Sequence, residues 1–173
     1  MRILGIDPGY AIVGWGVLDY QNTHFSVVDY GAVLTDAGTP FDRRLEQIYD
    51  EVCAIMLRYK PQSMAIEKLF YNTNAKTVID VGQARGALVL AARKCGLTIA
   101  EYTPLQVKQS VVGYGRAEKK QVQEMTKLIL NLPQIPKPDD TADALAIAIC
   151  HGHSGGSLFG GGGIDPSRIR KGI

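Results

Sequence analysis

Asp7 closes an almost unbroken apolar run, Ile3-Leu4-Gly5-Ile6, and Pro8-Gly9 turn the chain directly after it. Such a run reads as a strand buried on both faces. A carboxylate at its end is costly to desolvate unless a cation or hydrogen-bond donors meet it. From these residues alone, Asp7 serves equally well as a turn former that satisfies its own backbone. Glu67 repeats the situation at the end of a second apolar run, Met64 to Ile66. Asp140 and Asp143 follow in Asp139-Asp140-Thr141-Ala142-Asp143-Ala144-Leu145-Ala146, three apart and so on one helical face. Asp139 reads as a cap that compensates the helix dipole. Four converging carboxylates repel one another, and some are forced to protonate. Two divalent cations remove that conflict, and an all-oxygen donor set favours magnesium, with manganese as a substitute, over zinc. Such a pair, about 4 Å apart, activates a water and stabilises the leaving oxygen in phosphodiester hydrolysis.

The elements that must bring these side chains together are visible in the spacing. Ile12 to Asp19 and Phe25 to Leu34 read as strands joined by a polar turn, giving three consecutive antiparallel strands with the first. A helix runs from Phe41 to about Tyr59, with Leu45, Ile48, Val52, Ile55 and Met56 on its inner face, and stops at Lys60-Pro61. A strand over Ser63 to Ile66, a helix over Val78 to Lys94 and a strand over Thr98 to Tyr102 follow. Helices over 104–112, 117–131 and 139–151 complete the chain. This order predicts an α/β domain with a mixed five-stranded sheet and helices on both faces. If the first and fourth strands are parallel neighbours, Asp7 and Glu67 emerge from one edge. Alanines at 142, 144, 146 and 148 let the last helix lie close to the sheet. Gly14 and Gly16 mark either a close approach of backbone or a bulge. Gly82 and Gly86 each cost a helix about 1 kcal/mol against alanine, so another helix, in this chain or a second copy, should pack there.

The chain has 173 residues, 46% of them apolar and 21% charged, which suits one soluble domain. That domain is expected over 1–153, with 154–173 a flexible glycine-rich tail. No apolar stretch is long enough to span a bilayer and no signal-peptide zones open the chain, so a cytoplasmic protein is expected. Cys53, Cys95 and Cys150 lack metal-type spacing and read as buried, reduced thiols.

The net charge of +2 hides an asymmetry: residues 1–75 carry 6 basic and 9 acidic side chains, whereas 76–136 carry 9 and 4. The middle of the chain is the candidate polyanion surface. Lys108, Arg116, Lys119 and Lys120 cluster about a flexible joint at Gly113-Tyr114-Gly115, where phosphate contact is expected. Phe70 and Tyr71, just after Glu67, either stack on an unpaired base or pack in the core. His151 and His153 suit a helix C-terminus, and His24 a turn. No base is placed beside Ser110 or the thiols, so a covalent nucleophile is not expected.

Gly5-Ile6-Asp7-Pro8-Gly9, Glu67, Gly82-Gln83-Ala84-Arg85-Gly86, Gln106-Val107-Lys108-Gln109 and Asp140 to Ala146, in this order, resemble the RuvC-type Holliday junction resolvases. The likeness extends to about His153. It implies a ribonuclease-H-like fold, a homodimer and magnesium-dependent cutting of four-way DNA junctions in recombination and repair. It implies contact with the RuvA and RuvB branch-migration proteins. It maps the catalytic, metal-binding carboxylates onto Asp7, Glu67, Asp140 and Asp143, with Asp140 the least fixed because some relatives carry histidine there. It sets Lys108 and Lys119 near DNA and the active site. Arg85 is a further candidate for DNA contact. Gly82 and Gly86 are candidates for the dimer interface, with burial inside the monomer as the alternative. The rivals are a nuclease of the same fold on another substrate, such as an RNA–DNA hybrid, and an inactive module that holds branched DNA.

Overall fold

A computed structural model describes residues 1–69 and 75–155, with backbone alone at 75–77. The expected tail, apart from Ser154 and Gly155, and the aromatic pair Phe70 and Tyr71 lie outside the described residues. Five strands form one sheet: β1 (Arg2–Asp7), β2 (Ile12–Gln21), β3 (His24–Leu34), β4 (Ser63–Glu67) and β5 (Thr98–Tyr102), in the order β3-β2-β1-β4-β5. β1 to β3 pair antiparallel, whereas β4 runs parallel to both β1 and β5, so the expected mixed sheet is present. His24 begins β3 rather than lying in the preceding turn.

The helices divide between the two faces by the two-residue period of the strands. Leu4 and Ile6 of β1 join a core with Ile48, Val52 and Met56 of α1 (Phe41–Tyr59) and Ala84, Leu88, Ala91 and Ala92 of α2 (Ala75–Lys94). Ile3 and Ala65 join the opposite core, which holds α5 (Asp139–Ser154), Val107 and Val111 of α3 (Pro104–Val112) and Val122 of α4 (Lys119–Ile129). α2 starts three residues earlier than its apolar pattern implies, and α5 continues through His151 to Ser154.

Both helices that carry basic residues towards the site begin with local caps. Thr103 Oγ1 accepts from the Gln106 amide at 3.2 Å, and the Thr103 amide donates in return to Gln106 Oε1 at 2.8 Å. Ahead of α4, the Glu118 amide donates to Gln121 Oε1 at 2.8 Å. These bonds satisfy amides that a helix start leaves open, and they fix where Lys108 and Lys119 leave their helices. In the Gly113–Gly115 joint, Gly113 caps α3 at φ +91°, and a side chain at Gly115 would overlap Leu105.

α5 lies directly on the sheet. A Cβ at Gly5 would overlap the Ala144 carbonyl, one at Gly14 the Asp140 carbonyl, and one at Gly16 would stand 2.8 Å from Leu145 Cγ. Gly14 and Gly16 therefore mark a close approach, and the bulge in this pair falls at Val17/Leu18 instead. Gly82 and Gly86 behave differently. A Cβ at Gly82 would touch only Leu69, at 3.8 Å, and one at Gly86 would meet nothing within 4 Å among the described residues. Among the described residues nothing packs on Gly86, and only Leu69 approaches Gly82.

Candidate active site

Parallel pairing sets Ile6 of β1 opposite Ile66 of β4, so Asp7 and Glu67 are the next residues on adjacent strands at one edge of the sheet. Alternation turns both towards α5: Ile3 and Ala65, an even number of positions earlier, belong to the α5-side core. The first turns of α5 meet that edge, because Gly14, the partner of Asp7 in β2, lies against the Asp140 backbone. The sheet and one helix thus gather Asp7, Glu67, Asp140 and Asp143.

The electrostatics register their proximity. Asp7 is pushed up from 3.8 to about 8, first by burial and then by the charges of Asp143, Glu67 and Asp140. Burial likewise raises Glu67, with Asp143 adding to it and Lys119 and Lys108 opposing. Asp143 is raised by burial against the pull of Lys119. Burial is thus the larger cause at all three, and mutual repulsion of the carboxylates adds to it.

Lys119 is the nearest compensation. Its Nζ stands 2.8 Å from Asp143 Oδ2 and 3.8 Å from Asp139 Oδ2. Burial works against the lysine's charge, but the hydrogen bond that Nζ donates to Asp143 and the charges of the neighbouring carboxylates outweigh it and raise its pKa. One ammonium cannot balance four carboxylates. Among the described residues no three metal-ligating side chains stand together as a ligand group. The donor set itself, all carboxylate oxygen and short of cationic charge, fits a hard divalent cation.

Of the other expected residues, Lys108 is half-buried and acts on Glu67 by charge, whereas Arg116 and Lys120 are exposed near the start of α4. Arg85 is engaged within the protein: it pairs with Glu101 of β5, and its Nε approaches the Glu67 carbonyl at 3.4 Å. Asp139 caps nothing. It is the first residue of α5, held by Lys137 Nζ at 2.6 Å. Ser110 does have a base beside it, His153 Nδ1 at 3.1 Å, contrary to expectation. His153 stacks edge-on against Phe25, far along α5 from the carboxylates. His151 bonds Tyr102 at 2.8 Å. Only Cys150 of the three thiols is buried; Cys53 and Cys95 are half-buried. The Lys119–Asp143 and Arg85–Glu101 pairs have no local signal, since their partners are distant in the chain and meet only in the fold.

Residues 3–151 match the family model for Crossover junction endodeoxyribonuclease RuvC. A protein of that name from Ruminiclostridium cellulolyticum is 59% identical over 162 residues, covering 92% of this chain and 98% of the relative. The structure of Thermus thermophilus RuvC superposes with a TM-score of 0.83 at 34% identity, covering 90% of this chain and 95% of that one. T. thermophilus RuvC in complex with Holliday junction substrate superposes with a TM-score of 0.82 at 31% identity and the same coverage.

Proposed function

Because the chain belongs to the RuvC family of crossover junction endodeoxyribonucleases, we propose that it resolves four-way DNA junctions by phosphodiester hydrolysis at the Asp7, Glu67, Asp140 and Asp143 edge. The observation that carries this reading is the placement of Asp7 and Glu67 at the adjacent ends of β1 and β4 with the first turns of α5 against them, where burial first and the charges of Asp143, Glu67 and Asp140 after it push Asp7 to about 8. These side chains would hold magnesium, two ions per site, with manganese as a substitute. When bound, such ions activate the attacking water and stabilise the leaving oxygen.

The chain's own residues do the rest. β1 and β4 are buried on both faces and hold two carboxylates on rigid backbone. Lys119, 56% exposed, is free to exchange its bond with Asp143 for a DNA phosphate. Lys108, Arg116 and Lys120 extend that positive surface. Arg85 fixes the end of β4 where it is seen, and Phe70 and Tyr71 follow Glu67 as candidates to stack on a base near the junction centre. The outward stripe Ile79, Gln83, Gly86 and Leu90 of α2, with Gly82 beside it, is the surface for a second copy. Ile79 and Leu90 are 61% and 55% exposed. The RuvA and RuvB branch-migration proteins are the further partners proposed, on family membership. No described helix is long and apolar enough to cross a membrane, and we assign the protein to the cytoplasm, with its DNA substrate.

The decisive assay offers labelled four-way junction, linear duplex and RNA–DNA hybrid, each with and without magnesium. Metal-dependent paired cuts in the junction alone are expected. Equal cutting of linear duplex would sink the resolvase reading, and cutting of the hybrid would give the site to another substrate.

A further inference from the structure

Arg44 enters the core from α1 and is only 8% exposed, yet it takes part in none of the ion pairs among the described residues. A guanidinium withdrawn from water without an acid is costly, so its remaining interactions must hold it there. They converge on one short segment. Nε donates to Thr35 Oγ1 at 2.9 Å, and Nη2 reaches the Tyr10 carbonyl at 3.5 Å. The guanidinium lies 3.7 Å above the centre of the Tyr10 ring. Thr35, 9% exposed, relays the contact: its hydroxyl donates to the Tyr10 carbonyl at 2.7 Å and its amide to the Ala11 carbonyl at 3.0 Å. The ring of Phe41, at the start of α1, lies tilted against that of Tyr10 with centres 5.2 Å apart.

Tyr10 and Ala11 belong to the turn that leaves Asp7. The ladder between β1 and β2 ends at the Asp7–Gly14 pair, so residues 8–11 have no strand partner to hold them. Pro8 has no amide to contribute. Three other carboxylates repel the side chain at the root of that turn. We propose that Arg44 and Thr35 form a clamp on the turn after Asp7 and so act as positioning residues for the catalytic carboxylate. A hydroxyl at 35 is required because it accepts from Arg44 and donates to Tyr10 at once, which valine cannot do. The role of this clamp in cutting rests on the nuclease reading, whereas its hold on the turn does not.

The test compares Thr35→Val, Thr35→Ser and Arg44→Met with the wild-type chain. Three quantities are read: single-turnover cleavage of a saturating four-way junction in magnesium, junction affinity without metal, and hydrogen exchange of a peptide spanning residues 8–12. Thr35→Val and Arg44→Met should slow the single-turnover step about 10- to 100-fold, the scale of a misplaced reacting group. Affinity should stay near the wild-type value, exchange over 8–12 should quicken, and Thr35→Ser should restore both rate and exchange. Wild-type exchange and cleavage in Thr35→Val would overturn the clamp, as would equal losses in the valine and serine variants. If the wild-type chain cuts no junction, the nuclease reading fails, and exchange over 8–12 still decides whether the turn is clamped. Arg44→Met need not fold for the threonine pair to give that answer.

Discussion

At the scale of single residues, Asp7 carries the site and its cost. Its acid is held near 8 in the folded, metal-free protein against an ordinary 3.8, so the folded state binds the extra proton across that interval. Stability from this group is therefore complete below about pH 4 and lost as pH rises through about 8. Asp7→Asn should escape the loss. Relative to wild type in chelator, it should gain on the order of a few kcal/mol between pH 5 and pH 8, read by urea denaturation at both values. A difference that does not change with pH would show that Asp7 is not strained. The same variant should bind junction and fail to cut it. Lys119→Ala should reduce the salt slope of junction binding by about 1, and an unchanged slope would deny Lys119 a phosphate contact. The acids themselves were legible in the chain, because a carboxylate ending an apolar strand or set in an alanine-rich helix is conspicuous. The bond from Lys119 to Asp143 was not, since it depends on how the start of α4 meets α5.

At the scale of elements, the site depends on how closely α5 lies on the sheet. The alanines of α5 announced that approach, but the glycines facing them left a bulge open as an alternative, because local sequence does not say what lies opposite a strand. Gly14 faces the backbone of Asp140, and an added methyl there must displace backbone rather than a flexible side chain. Gly14→Ala is expected to destabilise the fold by about 2 kcal/mol or more, seen as a lower urea midpoint, and to slow cutting by shifting Asp140 and Asp143. Its counterpart on α2 should do the reverse. Gly86→Ala fills open space in a helix and should stabilise the isolated chain by about 1 kcal/mol. Glycines at 82 and 86 looked alike in sequence to those that admit α5; only the packing separates a glycine that faces the chain's own backbone from one that faces outwards.

At the scale of the whole molecule, the second copy proposed for that outward face bears on how both strands of a junction are cut. A four-way junction has approximate two-fold symmetry and is resolved only when two like strands are cut. Among the described residues Asp7, Glu67, Asp140 and Asp143 meet at one edge of the sheet, so paired cuts would call for a symmetric second copy. The Ile79, Gln83, Gly86 and Leu90 stripe repeats at helical spacing on the side of α2 opposite Ala84 and Leu88, which are fully buried against α1 and the sheet. Leu90→Asp should therefore leave the monomer's fold and thermal stability unchanged while sedimentation shows a shift from dimer to monomer. Gly86→Ala should weaken the same association despite stabilising the helix, because its methyl would occupy the space left for the partner. A monomeric Leu90→Asp protein should still nick one strand of a junction but lose the second, coordinated cut, seen as nicked junction accumulating in place of resolved duplex on a plasmid substrate. If Leu90→Asp remains dimeric and still resolves junctions, the second copy docks on some surface other than α2, and the exposed glycines need another explanation.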